Sequence, residues 1–428
     1  VKSKRLVSDA ESLFSTERKI AFMKRCCKKV DIFSNDFIEF ATIRALKGKL
    51  GRSDVVNWLY EVADGMSKKD LREIVANPNE KHKIMSLIRK HAEIIRSEIK
   101  DRRLTTEPIV YRMKYDQNCG KWRELGVESP KQLVLDEVFN TGCAELWRKI
   151  GYHQYASLVD KGAIKGKKAI ENRLRRKVKK SVYAWKGDVY HCYPSINKDI
   201  LKSKLQHYIK NDDLLYLGFY LIDTHKTGLN TGSGSSQYLC NFLLSFAYHY
   251  VLSLTKVKRG KSVKLVNFAL FYMDDILLVG SRKADVKKAA KMLKQFMQKD
   301  LGLTIKPTDE LFLLDTVKNG VRCGRPIDMM GYVMYRDHTV IRAKTFLKAR
   351  RAYIKAWRCI KSGKQLPQCL ARRCMSYNGF IKHTNSKHFV KKYHIDDINV
   401  VLRKEISTYD KSKISAKTKN GVMAGYQQ

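Results

Sequence analysis

The sequence predicts an α+β protein. Residues 1 to about 105 carry apolar stripes at helical spacing, short mixed strands and helices run from Pro108 to about Arg342, and helical stripes return beyond. With 428 residues the chain is long enough for two or three domains. In the first segment Val55, Val56, Leu59, Val62 and Ala63 share one helical face, and Ile84, Leu87, Ile88, Ala92, Ile94 and Ile95 share another. Ser67 followed by Asp70 and Leu71 marks a helix start. In the middle segment two apolar runs, Asn267 to Phe271 and Ile276 to Val279, read as buried strands. In the last, Phe346, Ala349, Tyr353, Ala356, Trp357 and Ile360 form one stripe, with Lys344, Lys348, Arg351, Lys355 and Arg358 over the remaining surface. From Lys411 the sequence is polar and reads as a disordered tail.

Charge narrows the partners. Lys and Arg number 85 against 42 Asp and Glu, a formal net charge of +43. Such an excess favours a polyanion, because each neutralised phosphate releases condensed counterions. It is concentrated: Lys161 to Lys180 holds ten Lys or Arg and one acid, Glu171, and Ile341 to Val390 holds 13 and no acid. Two one-signed tracts around an acid-bearing centre fit a nucleic-acid channel better than a merely solvated face. No run of eighteen apolar residues occurs and the amino terminus has no signal-peptide pattern, so a soluble, cytoplasmic protein without a membrane partner is expected. The ten cysteines include no CxxC pair and read as reduced thiols. Cys369, Cys374, His383 and His388 superficially resemble a zinc site, but their spacing is short for one and packed thiols are the simpler account.

The chemistry centres on Tyr272-Met273-Asp274-Asp275, which separates the two apolar runs as a tight hairpin would. The pair at this turn is neither Asn-Gly nor Asp-Gly, which make two-residue hairpins easy. Adjacent carboxylates there repel and lose hydration unless a cation compensates. Magnesium is the natural one, being a hard ion that prefers oxygen. A third carboxylate stands upstream at Asp188, where Trp185 to Ile196 reads as a strand running into a turn.

On these residues the chain resembles a reverse transcriptase. Asp188, with Tyr193 after four intervening residues, resembles the family's motif A, and Tyr272-Met273-Asp274-Asp275 resembles motif C. Gly228 to Gln237, followed by Asn241, resembles motif B, and Gly302-Leu303-Thr304-Ile305-Lys306 motif D. Gly120-Lys121-Trp122-Arg123 is similar to the fingers hairpin, and Met330-Gly331-Tyr332 stands where the primer grip is expected. The likeness spans roughly residues 105 to 390 in family order. It implies a right-hand polymerase: a helical N-terminal extension over 1–105, fingers and an antiparallel-sheet palm over 106–342, a basic helical thumb over 343–410, and the tail over 411–428.

The resemblance also implies roles. Asp188, Asp274 and Asp275, with the backbone carbonyl of Val189, would hold two Mg2+ ions, for which Mn2+ could substitute. Lys306 would protonate the departing pyrophosphate. Lys121 and Arg123 would bind the deoxynucleoside triphosphate, with Gln237 bracing nearby; Lys114 fits that role and the role of a solvated lysine equally well. Tyr193 would exclude a ribose 2′-hydroxyl. Gly232, Ser233, Tyr272, Met273, Met330, Gly331 and Tyr332, with Lys344, Lys348, Arg351 and Lys355, would meet template and primer.

Ser236-Gln237 and the segment Gln154 to Leu158 are similar to bacterial diversity-generating and defence-associated enzymes, and the long helical extension favours the defence group. That circle implies a non-coding RNA template, an RNA–DNA heteroduplex, and an accessory protein or oligomer as further partner. An untemplated or protein-primed polymerase, and an RNA-binding assembly protein with a vestigial site, stay open as alternatives.

Overall fold

A computed structural model describes residues 25–34, 36–116 and 120–423, with side chains characterised as far as Asp410. Residues 1–24 of the expected helical extension and 424–428 of the expected tail lie outside the described residues. In chain order the helices and strands are α1 (Phe37–Leu46), α2 (Ser53–Tyr60), α3 (Lys68–Ala76), α4 (Lys81–Lys100), β1 (Val110–Asp116), β2 (Lys121–Val127), α5 (Pro130–Gly142), α6 (Ala144–Trp147) and α7 (Ala163–Arg176). Then come β3 (Tyr183–Asp188), α8 (Lys198–Tyr208), α9 (Asp212–Asp223), α10 (Gly234–Ser253), β4 (Thr255–Lys258), β5 (Lys261–Lys264), β6 (Phe268–Tyr272), β7 (Asp275–Gly280), α11 (Lys283–Leu301) and β8 (Glu310–Leu313). The remainder is β9 (Thr316–Lys318), β10 (Val321–Cys323), β11 (Ile327–Met329), β12 (Tyr332–Met334), β13 (Thr339–Ile341), α12 (Ala343–Lys361), α13 (Gln368–Ile381), α14 (Lys387–Lys392) and α15 (Ile395–Met423).

The chain divides into two compact units. The first comprises residues 1–162 and 182–311, the second 163–181 and 312–428. In the first, a sheet of order β6-β7-β3-β8 has β7 paired antiparallel with both β6 and β3. Helix α10 packs on β6 and α11 on β3 and β7, and β6 and β7 are buried along nearly their whole length, whereas β3 carries Lys186 and Asp188. Local signals set the helices. Ser67 and Asp70 form a reciprocal capping box on α3, and Ser233 caps α10. Gly302, at a φ of 66°, ends α11 in the left-handed conformation that glycine adopts without strain. Along α4 the buried face is Ile84, Leu87, Ile88, His91, Ala92, Ile95 and Ile99. Ile94, expected on that face, is exposed instead, because it sits a further turn angle round the helix from Ile95.

The second unit shows why Ala163 to Ser181 leaves the segment that surrounds it in sequence. The Arg336 guanidinium donates to the carbonyls of Leu174 (3.2 Å) and Ser181 (2.6 Å), and the Thr339 hydroxyl donates to Glu171. The basic tract ending at Lys180 is therefore tied to residues beyond 311, a division that the sequence boundary at 342/343 does not follow. Helices α12, α13 and α15 form a bundle in which the Tyr353 hydroxyl donates to Asn399 Oδ1 at 2.9 Å. Ala349, Ala352, Tyr353 and Ala356 are its buried α12 face. Helix α15 continues to Met423, past Lys411, where composition alone reads as a tail.

Candidate active site

Strand pairing brings the three carboxylates together. Asp188 ends β3 directly opposite Asp275, which begins β7, and the Val189 amide donates to the Asp274 carbonyl at 3.0 Å. The hairpin register pairs Tyr272 with Asp275, leaving Met273 and Asp274 as a two-residue loop. Met273 takes a φ of 55°, a left-handed position that normally favours glycine. A methionine there holds local strain, which is found where geometry is dictated by a site.

A further segment closes the group from the other side. The Tyr190 amide donates to the Thr304 carbonyl at 2.8 Å, and the Lys306 amide to the Asp188 carbonyl at 2.8 Å. Lys306 thus lies beside Asp188, and its ammonium donates to Asp188 Oδ1 at 2.7 Å. That hydrogen bond raises the Lys306 pKa. Lys186, which the sequence reading passed over, lies 3.7 Å from Asp275 Oδ1. Its two-residue offset from Asp188 on β3 puts both side chains on one face, so strand alternation was a usable signal. Val189 turns its amide toward Asp274, and in an extended strand the carbonyl of the same residue faces the same way.

Electrostatics single out Asp274. Burial, then the charges of Asp275 and Asp188, push its carboxyl up to about 6. Among the described residues no group of three or more His, Cys, Asp or Glu is arranged to hold a metal ion by itself. The donor set still fits hard divalent cations: three carboxylates repel one another here, and Lys306 and Lys186 supply the positive charge. The Cys369, Cys374, His383 and His388 spacing gathers no such group either, and Cys374 is packed in the bundle core.

Tyr193 sits against the hairpin, its hydroxyl donating to Met273 Sδ at 3.7 Å, and burial raises its pKa. The Leu229 amide donates to the Tyr193 carbonyl at 2.9 Å, and a Cβ on Gly228 would stand 2.4 Å from that oxygen. Only glycine permits so close an approach of the two loops. On the β1–β2 hairpin Lys114 is directly opposite Arg123, and Asp116 opposite Lys121. Lys114, Lys121 and Arg123 therefore share one face, and Arg123 is steadied by Asp116 at 3.2 Å. The hairpin base is fixed to the loop before α10, since the Gly126 amide reaches Asn230 Oδ1 (2.9 Å) and the Thr231 carbonyl (3.1 Å).

Other expected site residues fall differently. Gly232 is exposed at a φ of 125° and Gln237 is half-buried on α10. Ser233 is fully buried; its hydroxyl donates to Asp136 at 2.7 Å and accepts from the Ser236 amide, so it faces inward rather than toward nucleic acid. Near it lies a pair not foreseen from sequence, Glu128 and Asp136, both buried. Burial, then the Asp136 charge, push Glu128 up to about 9, and burial raises Asp136 as well. In the second unit Met330 and Gly331 form the positive-φ loop between β11 and β12, while Tyr332 is buried against Phe380. Lys344, Arg351 and Lys355 are exposed along α12 and Lys348 is half-buried on the same side.

Residues 113–321 match the family described as reverse transcriptase (RNA-dependent DNA polymerase). The chain carries a reverse transcriptase domain. Its enzyme class is accordingly RNA-directed DNA polymerase, a nucleotidyltransferase. No curated protein matches in sequence. Solved structures similar to it include apo telomerase from Candida tropicalis truncated of its C-terminal domain, with 12% identity over 66% of this chain and 73% of that one, at a TM-score of 0.40. Telomerase from Candida albicans with a TWJ fragment of telomeric RNA shows 12% identity over 74% of this chain and 65% of that one, at a TM-score of 0.38. These are distant likenesses. Among the described residues of this reverse transcriptase, no helix is long and apolar enough to cross a membrane.

Proposed function

We propose that this reverse transcriptase copies a dedicated non-coding RNA into DNA, with Asp188, Asp274 and Asp275 as its catalytic carboxylates. The carrying observation is their convergence across β3 and β7, where burial and then mutual repulsion push Asp274 up to about 6. Two divalent ions bound there, Mg2+ or in substitution Mn2+, would activate the primer 3′-hydroxyl and neutralise charge on the leaving group. In the reaction the 3′-oxygen forms a bond to the α-phosphorus, the bond to the bridging oxygen breaks, and pyrophosphate departs.

The protein's own residues supply position and protons. Lys121, Arg123 and Lys114, on one hairpin face, bind the triphosphate, with guanidinium geometry suited to its oxygens. Tyr193, packed on Met273, lies under the sugar and excludes a 2′-hydroxyl. Lys306 exchanges Asp188 for pyrophosphate before it donates a proton. Gly232 permits close approach to the nascent pair, Gln237 braces the template, and the Met330-Gly331 loop with Lys344, Lys348, Arg351 and Lys355 guides the primer duplex. On this reading the β6–β7 hairpin is the palm's catalytic turn, the β1–β2 hairpin the fingertip, and α12 the start of the thumb. The helical segment before Pro108 supports a bacterial defence role, since it is additional to what polymerisation requires.

The test is primer extension with protein and its co-purified RNA. Magnesium-dependent deoxynucleotide incorporation is expected, with a product complementary to that RNA, and Asp274→Ala with Asp275→Ala should abolish it. Undiminished synthesis by the double variant would overturn the assignment.

A further inference from the structure

A cleft of about 680 Å³ in the first unit stands apart from the residues assigned to polymerisation. It is bordered by α1, α5, α6, the loop that follows and the first turns of α10. Its volume lies in the range of small-molecule and single-residue pockets. Two rings, Trp147 and Tyr238, form an aromatic wall, with centroids 5.3 Å apart and planes inclined by 35°. The Trp147 indole N–H already donates to the Asn140 carbonyl at 2.9 Å, so this wall contributes ring surface rather than a hydrogen bond. At the mouth Tyr152 is 75% exposed, with the Lys161 ammonium 5.1 Å from its ring centroid.

Two features define what the cleft would take. The first is charge: Arg44, Arg148 and Lys161 line it against two carboxylates, Glu137 and Asp160, and Glu137 is already held by Arg44 at 3.0 Å. The second is Asn140, which is 8% exposed and whose side-chain oxygen has no hydrogen-bond partner in the protein. A buried amide oxygen left unbonded is costly, and a carboxamide offers the adjacent donor and acceptor that pair with a base edge.

We propose that this cleft holds one unpaired base of the RNA that the protein binds. The base stacks on Trp147 and Tyr238, its free edge meets the Asn140 carboxamide, and the flanking phosphates lie on Arg148 and Lys161. A paired base would have that edge already engaged, so the site selects a loop, bulge or single strand. Tyr238 follows Gln237 and lies about 100° round α10 from it, so the captured base is not the one being copied. Arg44 then gives the helical N-terminal segment a part in RNA recognition. The assignment rests on the reading of this chain as an enzyme that works on RNA.

The experiment uses the full chain bearing Asp274→Ala and Asp275→Ala, which bars turnover, and single-stranded RNA carrying 5-iodouridine. Irradiation and peptide mapping should place crosslinks at Trp147, Tyr152 or Tyr238. Unlabelled single-stranded RNA should compete, and UTP at equal nucleotide concentration should not. Arg148→Glu at an exposed position with Tyr238→Ala on the half-buried cleft wall should weaken single-strand binding by about ten-fold, in line with the loss of one stacking ring and a phosphate contact. Binding of a blunt duplex of equal length should change little. Crosslinks only elsewhere, unaltered affinity in the variant, or equal competition by UTP would each overturn the proposal. Primer extension by the parent chain separates the two readings: incorporation without these crosslinks sinks the cleft alone, and crosslinks without incorporation sink the polymerase reading alone.

Discussion

Asp274 bears the electrostatic cost of the centre, and that cost has a sign. Its folded pKa, about 6, lies above the usual 3.8, so the folded protein holds a proton that the unfolded chain releases between those values. Stability from this group is present at low pH and lost as pH rises from 3.8 through about 6. Asp274→Asn removes the ionisation, and should raise the melting temperature of metal-free protein by a few degrees at pH 7.5. The gain should shrink below pH 4, and added Mg2+ should stabilise the parent more than the variant. Thermal scans across pH, with and without the ion, check both halves. Glu128 makes the same kind of statement over a different window. Its folded pKa of about 9 against 4.5 means stability falls as pH rises between them. Glu128→Gln keeps the shape without the charge, so its unfolding midpoint in urea should decline less from pH 7 to 9 than that of the parent, with the buried Asp136 still titrating in both.

At the scale of elements, the coupling of the β1–β2 hairpin to the loop before α10 depends on one glycine. A Cβ on Gly126 would stand 1.9 Å from Asn230 Nδ2, and the Gly126 amide supplies the two bonds that fix the loop. Gly126→Ala should therefore cost about 1–3 kcal/mol of stability by forcing these segments apart. It should also raise KM for deoxynucleotides more than it lowers kcat, because it shifts the hairpin that carries Lys114, Lys121 and Arg123. Equal loss in both constants would point to general unfolding instead. The hairpin itself was legible in sequence through the similarity of Gly120-Lys121-Trp122-Arg123 to the family's fingers hairpin. Its anchoring was not: Asn230 is 104 residues from Gly126, and a loop asparagine has no periodicity to betray a distant partner. The Glu128–Asp136 pair escaped for a related reason, since two acids eight residues apart read as helix-surface charge until burial is known. By contrast the aspartates stood out because apolar runs on both sides leave few places for a carboxylate to go.

Across the whole molecule the charge tracts were legible as composition, but their membership in compact units was not. Lys161 to Lys180 looked like part of the segment around it, and Arg336 binds its end to residues beyond 311 through hydrogen bonds that no local pattern announces. The second unit consequently gathers the second tract and every cation of the first but Lys161, with Lys344, Arg351 and Lys355 exposed on α12 opposite the buried Ala349, Ala352, Tyr353 and Ala356. If those three cations meet phosphate, each contributes its share of counterion release, which is about 0.7 in the log–log salt slope for a single strand and about 0.9 for a B-form duplex. Replacing all three with Gln should flatten the slope of nucleic-acid affinity against salt by about 2 to 3. The difference in affinity between variant and parent should be large at low salt and nearly vanish at high salt. Because the substituted side chains lie on the solvent face, the melting temperature should stay within a degree or two of the parent. A variant that binds more weakly by the same factor at every salt concentration would show that these residues act through packing or a directed contact, and that the helix is not an electrostatic guide.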